Sequence, residues 1–366
     1  MIKKKLKLYY KFLVQKLFIL IYGKVLISKN TKNLIKKTKI NKSFFRTYKN
    51  KNYYLYNINN VRIYTDNNQN VAIIKNNSIL PYVSFQQLDG KLKSVKYNSV
   101  IKRGTPSFAK RIRGKVFNLS QGATGNNYFH FLFDIIPKIY LLSSKMNIDE
   151  IDYFYISDPK IWQIKILKLL GISKKKLLSS KKNNHIYVDE IYVVDHPWYR
   201  SGYVHEEVKK IPQWIIYKHR ENFLNKSKKY TNKRIFLDRS QSQYNHCQIS
   251  DLNEINDLIA KKKFKSYKPE LLSFKNQINL FKSSSIIMGA HGASFTNIIF
   301  CKPKTKIIEI IPSDHPNKKC ERISKILKFK YFRVKTNPDN SDINYPFKIH
   351  LDKKILKKIE KIINIK

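Results

Sequence analysis

The stretch "IIMGAHGASFTNIIF", Ile286 to Phe300, gathers Gly289, Ala290, Gly292, Ala293 and Ser294 around His291 in a chain that has only 10 glycines. An apolar run, a small-residue turn and a second apolar run predict a buried strand, a tight turn and a helix starting near Ser294 or Phe295. Outside the carboxyl end of such a strand, a helix N-terminus offers free N–H groups and a positive dipole end to an anion. Small residues let the backbone approach, His291 can hydrogen-bond a phosphate oxygen, and Thr296 and Asn297 add donors. The alternative is a turn that needs glycine for positive φ and carries an idle histidine. Downstream, Glu309 sits inside the apolar "KIIEIIP". A carboxylate there needs a partner, either ribose hydroxyls or a lysine.

The second concentration is "GATGNNYFHFLFDIIPKIYLL", Gly122 to Leu142. Tyr128, Leu132, Ile135, Ile136 and Ile139 follow a helical period, and His130 and Asp134, four apart, share another face. A carboxylate one turn from an imidazole fixes its tautomer and raises its basicity, as a general base requires. A solvated helix-surface pair is the competing reading, and Pro137 places a kink or break within the helix. Arg239, after "RIFLD", can clamp a diphosphate. His196, with Trp198 and Tyr199, suits stacking on a ring. Metal and covalent chemistry find no support: the chain has no HExxH, paired Cys-x-x-Cys, GxxxxGK[ST] or G-x-S-x-G.

Elements must hold these groups, and 366 residues are enough for two domains with smaller attachments. An apolar fraction of 42% fills globular cores. The formal charge of +48 is spread over the whole length with abundant Asn and Ile, the texture of coding from an AT-rich genome. It implies general attraction to anionic partners and acidic substrates rather than a dedicated nucleic-acid surface. A basic nucleic-acid-binding protein is the alternative it keeps open. Three cysteines make no disulfide framework, which favours a reducing compartment.

Residues 1–44 form a basic N-terminal segment. Its apolar positions with flanking lysines predict an amphipathic helix, either packed on the domain or lying on an anionic membrane face, and too interrupted to span a bilayer. Short β-branched and aromatic segments between Asn-rich turns predict a small antiparallel β region over 45–120. From 121 to 225, "IDYFYIS" and "EIYVVD" read as buried strands around the helix "PKIWQIKILKLLGIS", which Gly171 ends. A charged helical stretch near 205–230 leads to a second βαβα run over 226–366, with strands "RIFLDR", "SIIMGA" and "KIIEIIP" and helices "DLNEINDLIAKKKF" and "QINLFKSS". Such alternation implies two parallel-sheet α/β domains.

"GNNYFHFLFDIIPKIYLL", "RIFLDRS" and "ELLSFKNQINLFKSSSIIMGAHGASFTNIIFCKPKTKIIEIIP", in that order, resemble the successive motifs of glycosyltransferase family 61, the capsular-polysaccharide-biosynthesis-like proteins, over roughly residues 120–315. The resemblance implies a GT-B-like α/β fold, with two Rossmann-like domains facing across a cleft. It implies an inverting hexosyl- or pentosyltransferase that requires no metal or other cofactor. The donor would be a nucleoside-diphosphate sugar. The acceptor would be a polysaccharide or lipid-linked glycan of capsule or lipopolysaccharide synthesis, made in a bacterial cytoplasm or at the inner membrane face. It places Arg239, Gly289, His291, Gly292, Ala293, Thr296 and Asn297 at the nucleotide sugar and Glu309 near the ribose, with His130 or Asp134 as the base. Members carry an arginine before the helix that follows the first of these strands. Here Cys247 and Gln248 stand there, with Arg239 nearby, a departure that an inactive assembly partner would also show.

Overall fold

The computed structural model describes residues 2–28, 34–40, 52–88, 91–121, 125, 127–198, 211–224, 231–242, 247–250, 252–339 and 348–365. Tyr199, Asp251 and much of the charged stretch near 205–230 lie outside them. The chain divides into two compact units, Met1–Trp214 and Ile215–Lys366.

In the first unit the expected β region and the expected α/β domain share one nine-stranded sheet. The long strand Tyr53–Thr65 pairs antiparallel with Val71–Lys75 and Lys36–Ile40, and on its other edge with His185–Val194. From His185–Val194 the sheet continues in parallel through Lys110–Asn118, Tyr153–Ile156 and Leu177–Ser179. The divisions drawn at 44/45 and 120/121 therefore disappear. Tyr53–Thr65 alternates side chains into a core of Ile58, Val61, Ile63, Val188, Ile191 and Val193, and burying these requires the pairing with the later strand. The expected helix after Tyr153–Ile156 is Ile161–Leu169, and Gly171 closes it at φ 84°.

The main sheet of the second unit has five strands, all parallel, in the spatial order Lys265–Tyr267, Lys233–Leu237, Ser284–Ala290, Lys306–Pro312, Lys330–Thr336; Pro338–Asp339 and Lys348–Ile349 form a separate antiparallel pair. Every residue of Lys306–Pro312 is buried, as is expected of a parallel strand covered on both faces. Helices Asn253–Lys261, Phe274–Lys282, Lys319–Ile326 and Lys353–Asn364 make the connections and the final cover. Numbered along this unit, the strand order is 2-1-3-4-5, that of doubly wound nucleotide-binding sheets. The chain leaves the first strand to one side and returns to the third on the other. The crevice between Leu237 and Ala290, at the carboxyl ends of those two strands, is the topological switch point.

Candidate functional site

The sequence-predicted turn lies at that switch point. His291 follows the Ser284–Ala290 strand directly and its backbone N–H donates to Ile310 O at 2.8 Å, which seats the turn against the next strand. The segment beyond is a 3-10 helix, Ala293–Phe300, one residue earlier and tighter than the expected helix. Arg220 donates to the carbonyls of Ile299 and Cys301 at its far end, at 2.5 and 2.8 Å. Neither glycine of the turn is there for a positive φ. Gly292 is extended at φ 174°. A Cβ on it would fall 1.5 Å from Arg239 Nη1, so the guanidinium lies against its α-carbon. Gly289 lies beside Leu237 in the parallel register, and its Cβ would meet Leu237 Cβ at 2.8 Å and O at 2.9 Å.

A pocket opens here, lined by Leu237, Arg239, Ser240, Gln248, Leu252 and Ala290 among others. Arg239 is its one cation among the described lining residues. Its Nη2 donates to Ser242 Oγ at 3.2 Å, and Gln248 Nε2 donates to the Arg239 carbonyl at 3.3 Å. Cys247 turns inward at φ 56° and is fully buried in the core of the unit. Burial pushes its thiol up to about 12 despite the neighbouring Arg239, so it is a packing residue. Of Cys247 and Gln248, only Gln248 reaches the pocket.

Glu309 is engaged entirely within the protein. Its Oε1 accepts from His291 Nδ1 at 2.5 Å and its Oε2 from the Tyr331 hydroxyl at 2.5 Å, with the Cys320 thiol a further donor. Burial alone would raise this carboxyl, but His291, Tyr331 and Cys320 outweigh it and hold it below the usual carboxylate range. The same carboxylate drives the Cys320 thiol and Tyr331 hydroxyl upward, in the same direction as their burial. Because a carboxylate only accepts, His291 donates Nδ1–H to it and turns Nε2 away from it. His315 packs its ring 4.6 Å from that of His291. Donor atoms of His291, Glu309 and Cys320 lie within 4.8 Å of one another, the one such group of potential metal ligands among the described residues. Thr296 and Asn297 are buried, and Asn297 Nδ2 donates to Gln277 Oε1 at 2.7 Å, tying the 3-10 helix to Phe274–Lys282.

The second cluster lies in the first unit. Residues 128–143 form one helical run in which a π-helical turn, Phe131–Ile135, precedes Pro137. Asn127 caps its start by accepting from His130 N–H at 3.1 Å. The wider turn lies just ahead of the residue that has no N–H to give, so the expected break becomes a local widening that carries Asp134. His130 and Asp134 do come together: Nδ1 donates to Oδ2 at 2.8 Å. This is no solvated surface pair, since the Asp134 side chain is 1% exposed and that of His130 18%. Trp198 Nε1 donates to Asp134 Oδ1 at 2.7 Å, and His196 Nε2 lies 4.0 Å from Oδ2 and 2.8 Å from the Gln121 amide. Burial would raise the Asp134 carboxyl, but His130, His196 and Trp198 together bring it below its ordinary value. Burial lowers His196 to about 3 against the pull of Asp134. It likewise lowers Lys138 to about 7; that ammonium sits over the Phe85 ring at 4.4 Å with no hydrogen-bond partner among the described residues.

Sequence reasoning singled out His196 and Trp198 but as ring-stacking candidates rather than partners of Asp134. It missed Lys138, Gln121, Tyr331, Cys320 and His315. Lys138, four after Asp134 inside an apolar helix, was the readable signal. The others arrive from a strand, a helix and loops whose placement one sequence does not disclose.

Residues 128–308 match the family Glycosyltransferase 61. No curated protein matches the chain. The matched span begins two residues before His130 and ends at Ile308, so it takes in the His130–Asp134 pair, Arg239 and the His291 turn.

Proposed function

Residues 128–308 are a glycosyltransferase family 61 domain and the chain is a glycosyltransferase; on that premise we propose an inverting enzyme of GT-B type that uses a nucleoside-diphosphate sugar. The observation that carries this reading is the placement of Arg239 against Gly292, beside His291, at the switch point of a doubly wound parallel sheet. The diphosphate takes its charge-assisted hydrogen bonds from Arg239 and from Nε2–H of the His291 imidazolium, whose Nδ1–H stays on Glu309, while Ala293 keeps the turn narrow enough for close approach. Glu309 acts from behind by fixing His291, which replaces the ribose contact expected for it. Thr296 and Asn297 support the turn from inside, and Gln248 adds a neutral amide where the resemblance leads one to expect an arginine.

His130 is the base. Asp134 holds the proton on Nδ1, which leaves Nε2 with the lone pair to take the proton of an acceptor hydroxyl. The acceptor oxygen then bonds to the anomeric carbon as the carbon–phosphate-oxygen bond breaks, its electron pair leaving with the nucleoside diphosphate, and the configuration inverts. The acceptor class is a polysaccharide or lipid-linked glycan of a bacterial surface polymer. The test is nucleoside-diphosphate release from a donor panel with acceptor oligosaccharides, with the product anomer read by NMR. Inverted product that disappears in Arg239→Ala and His130→Ala supports the reading. Retained configuration, or turnover unchanged in both variants, contradicts it.

A further inference from the structure

The N-terminal helix α1, Ile2–Tyr22, carries a surface that the reaction does not use. One face packs on the first unit: Phe18 is buried and meets Phe108 edge-on at 4.9 Å, Tyr22 meets His185 at 5.0 Å and accepts the Ala109 N–H at 2.8 Å, and Ile19 fills the space a Cβ on Gly104 would need. At 100° per residue the opposite face is set by Ile2, Leu6, Tyr9, Leu13, Leu17 and Leu20, spaced 4, 3, 4, 4 and 3. These six are between 48% and 83% exposed. An apolar stripe running the length of a 21-residue helix, directed away from the unit, has a partner outside it.

Charge identifies the partner. α1 holds Lys3, Lys4, Lys5, Lys7, Lys11 and Lys16 and no acidic residue. On the helical projection Lys5 and Lys16 border one edge of the stripe, and Lys3 the other. A second copy docked through the stripe would set these lysines against their own equivalents, with no carboxylate on either helix to pair them. No described helix is long and apolar enough to cross a membrane. We propose that α1 lies in the plane of an anionic lipid surface, its stripe among the acyl chains and its flanking lysines at the headgroups, and so anchors the enzyme by its first unit. The inference does not rest on the reaction assigned above.

Because the whole chain is strongly basic, charge alone attracts it to anionic vesicles, and the test must separate charge from insertion. The full chain is co-sedimented with vesicles of phosphatidylcholine alone or mixed with phosphatidylglycerol, in low salt and after a high-salt wash. The wild type is expected on the mixed vesicles and retained through the wash. The triple variant Leu6→Gln/Leu13→Gln/Leu17→Gln, which keeps every charge and leaves Phe18 and Tyr22 in place, is expected to bind about tenfold less or worse and to be released by salt, with an unchanged melting temperature. Equal retention of the triple variant overturns the proposal. So does a concentration-dependent dimer of the wild type, seen by sedimentation velocity without lipid and abolished in the triple variant, which would seat a second copy on the stripe.

Discussion

Arg239 Nη1 occupies the space where a side chain on residue 292 would begin, 1.5 Å from the position of a Cβ. Because Gly292 is extended, an alanine there meets no backbone strain and its whole effect falls on the guanidinium. Gly292→Ala should therefore weaken binding of the nucleoside-diphosphate donor about tenfold to a hundredfold, the cost of misplacing one charge-assisted contact. Unfolding stability should change far less. Calorimetric titration of Gly292→Ala, Arg239→Ala and the double variant should show the two losses failing to add, since both remove one contact.

Glu309→Gln places an amide where three donors converge, so at least one of its own N–H groups faces another donor. Loss of about 3 kcal/mol in urea unfolding is expected, together with weaker donor binding as the His291 ring loses its fixed orientation. Tyr331→Phe removes a single donor and should cost about 1 kcal/mol with the His291 pair intact.

His130→Ala and Asp134→Asn should each lower kcat by about two to four orders of magnitude while donor affinity stays near the wild-type value. The double variant should be no worse than the more damaged single one, because the pair acts as a unit. Steady-state kinetics with a fixed acceptor reads this directly. Near-normal kcat in His130→Ala would move the base elsewhere.

Acid should weaken the first unit in a definite window. Folded His196 titrates at about 3, below its ordinary 6.5, so between those values the unfolded chain holds the extra proton and stability rises with pH. From pH 6.5 down to 5 the loss from His196 is about 2 kcal/mol. Asp134, depressed in the folded state, contributes above its ordinary value and adds to this loss only below about pH 4, and Glu309, also depressed, does the same in the second unit. Lys138, lowered to about 7, works in the same direction at the other end, and stability should rise between pH 7 and 10.5. Urea midpoints across pH should show both slopes, with the acid slope reduced in His196→Gln and the alkaline one in Lys138→Met.

Three of the five parallel strands, Lys233–Leu237, Ser284–Ala290 and Lys306–Pro312, were legible as apolar runs closed by a turn signal, whereas the outer strands Lys265–Tyr267 and Lys330–Thr336 are largely polar and incompletely buried and gave no such signal. The first unit was legible only locally. That Tyr53–Thr65 pairs with a strand more than a hundred residues later is set by the need to bury one alternating face, and nothing near either strand in sequence encodes it. The His130–Asp134 pair was visible as an i, i+4 spacing, but its burial depends on Trp198 and His196 arriving from a distant strand end. The turn glycines were read as freedom for the backbone or for a ligand. Gly292 instead makes room for Arg239, a contact between segments some fifty residues apart that spacing cannot reveal.

The central claim, that the switch-point pocket holds a nucleoside-diphosphate sugar, is tested most directly by thermal shift with a panel of UDP-, GDP-, dTDP- and ADP-linked sugars. One nucleotide class should raise the melting temperature of the wild type, and Arg239→Ala and His291→Ala, folded by circular dichroism, should lose that shift. A well-folded wild type that responds to none of them, or variants that keep the full shift, would contradict it.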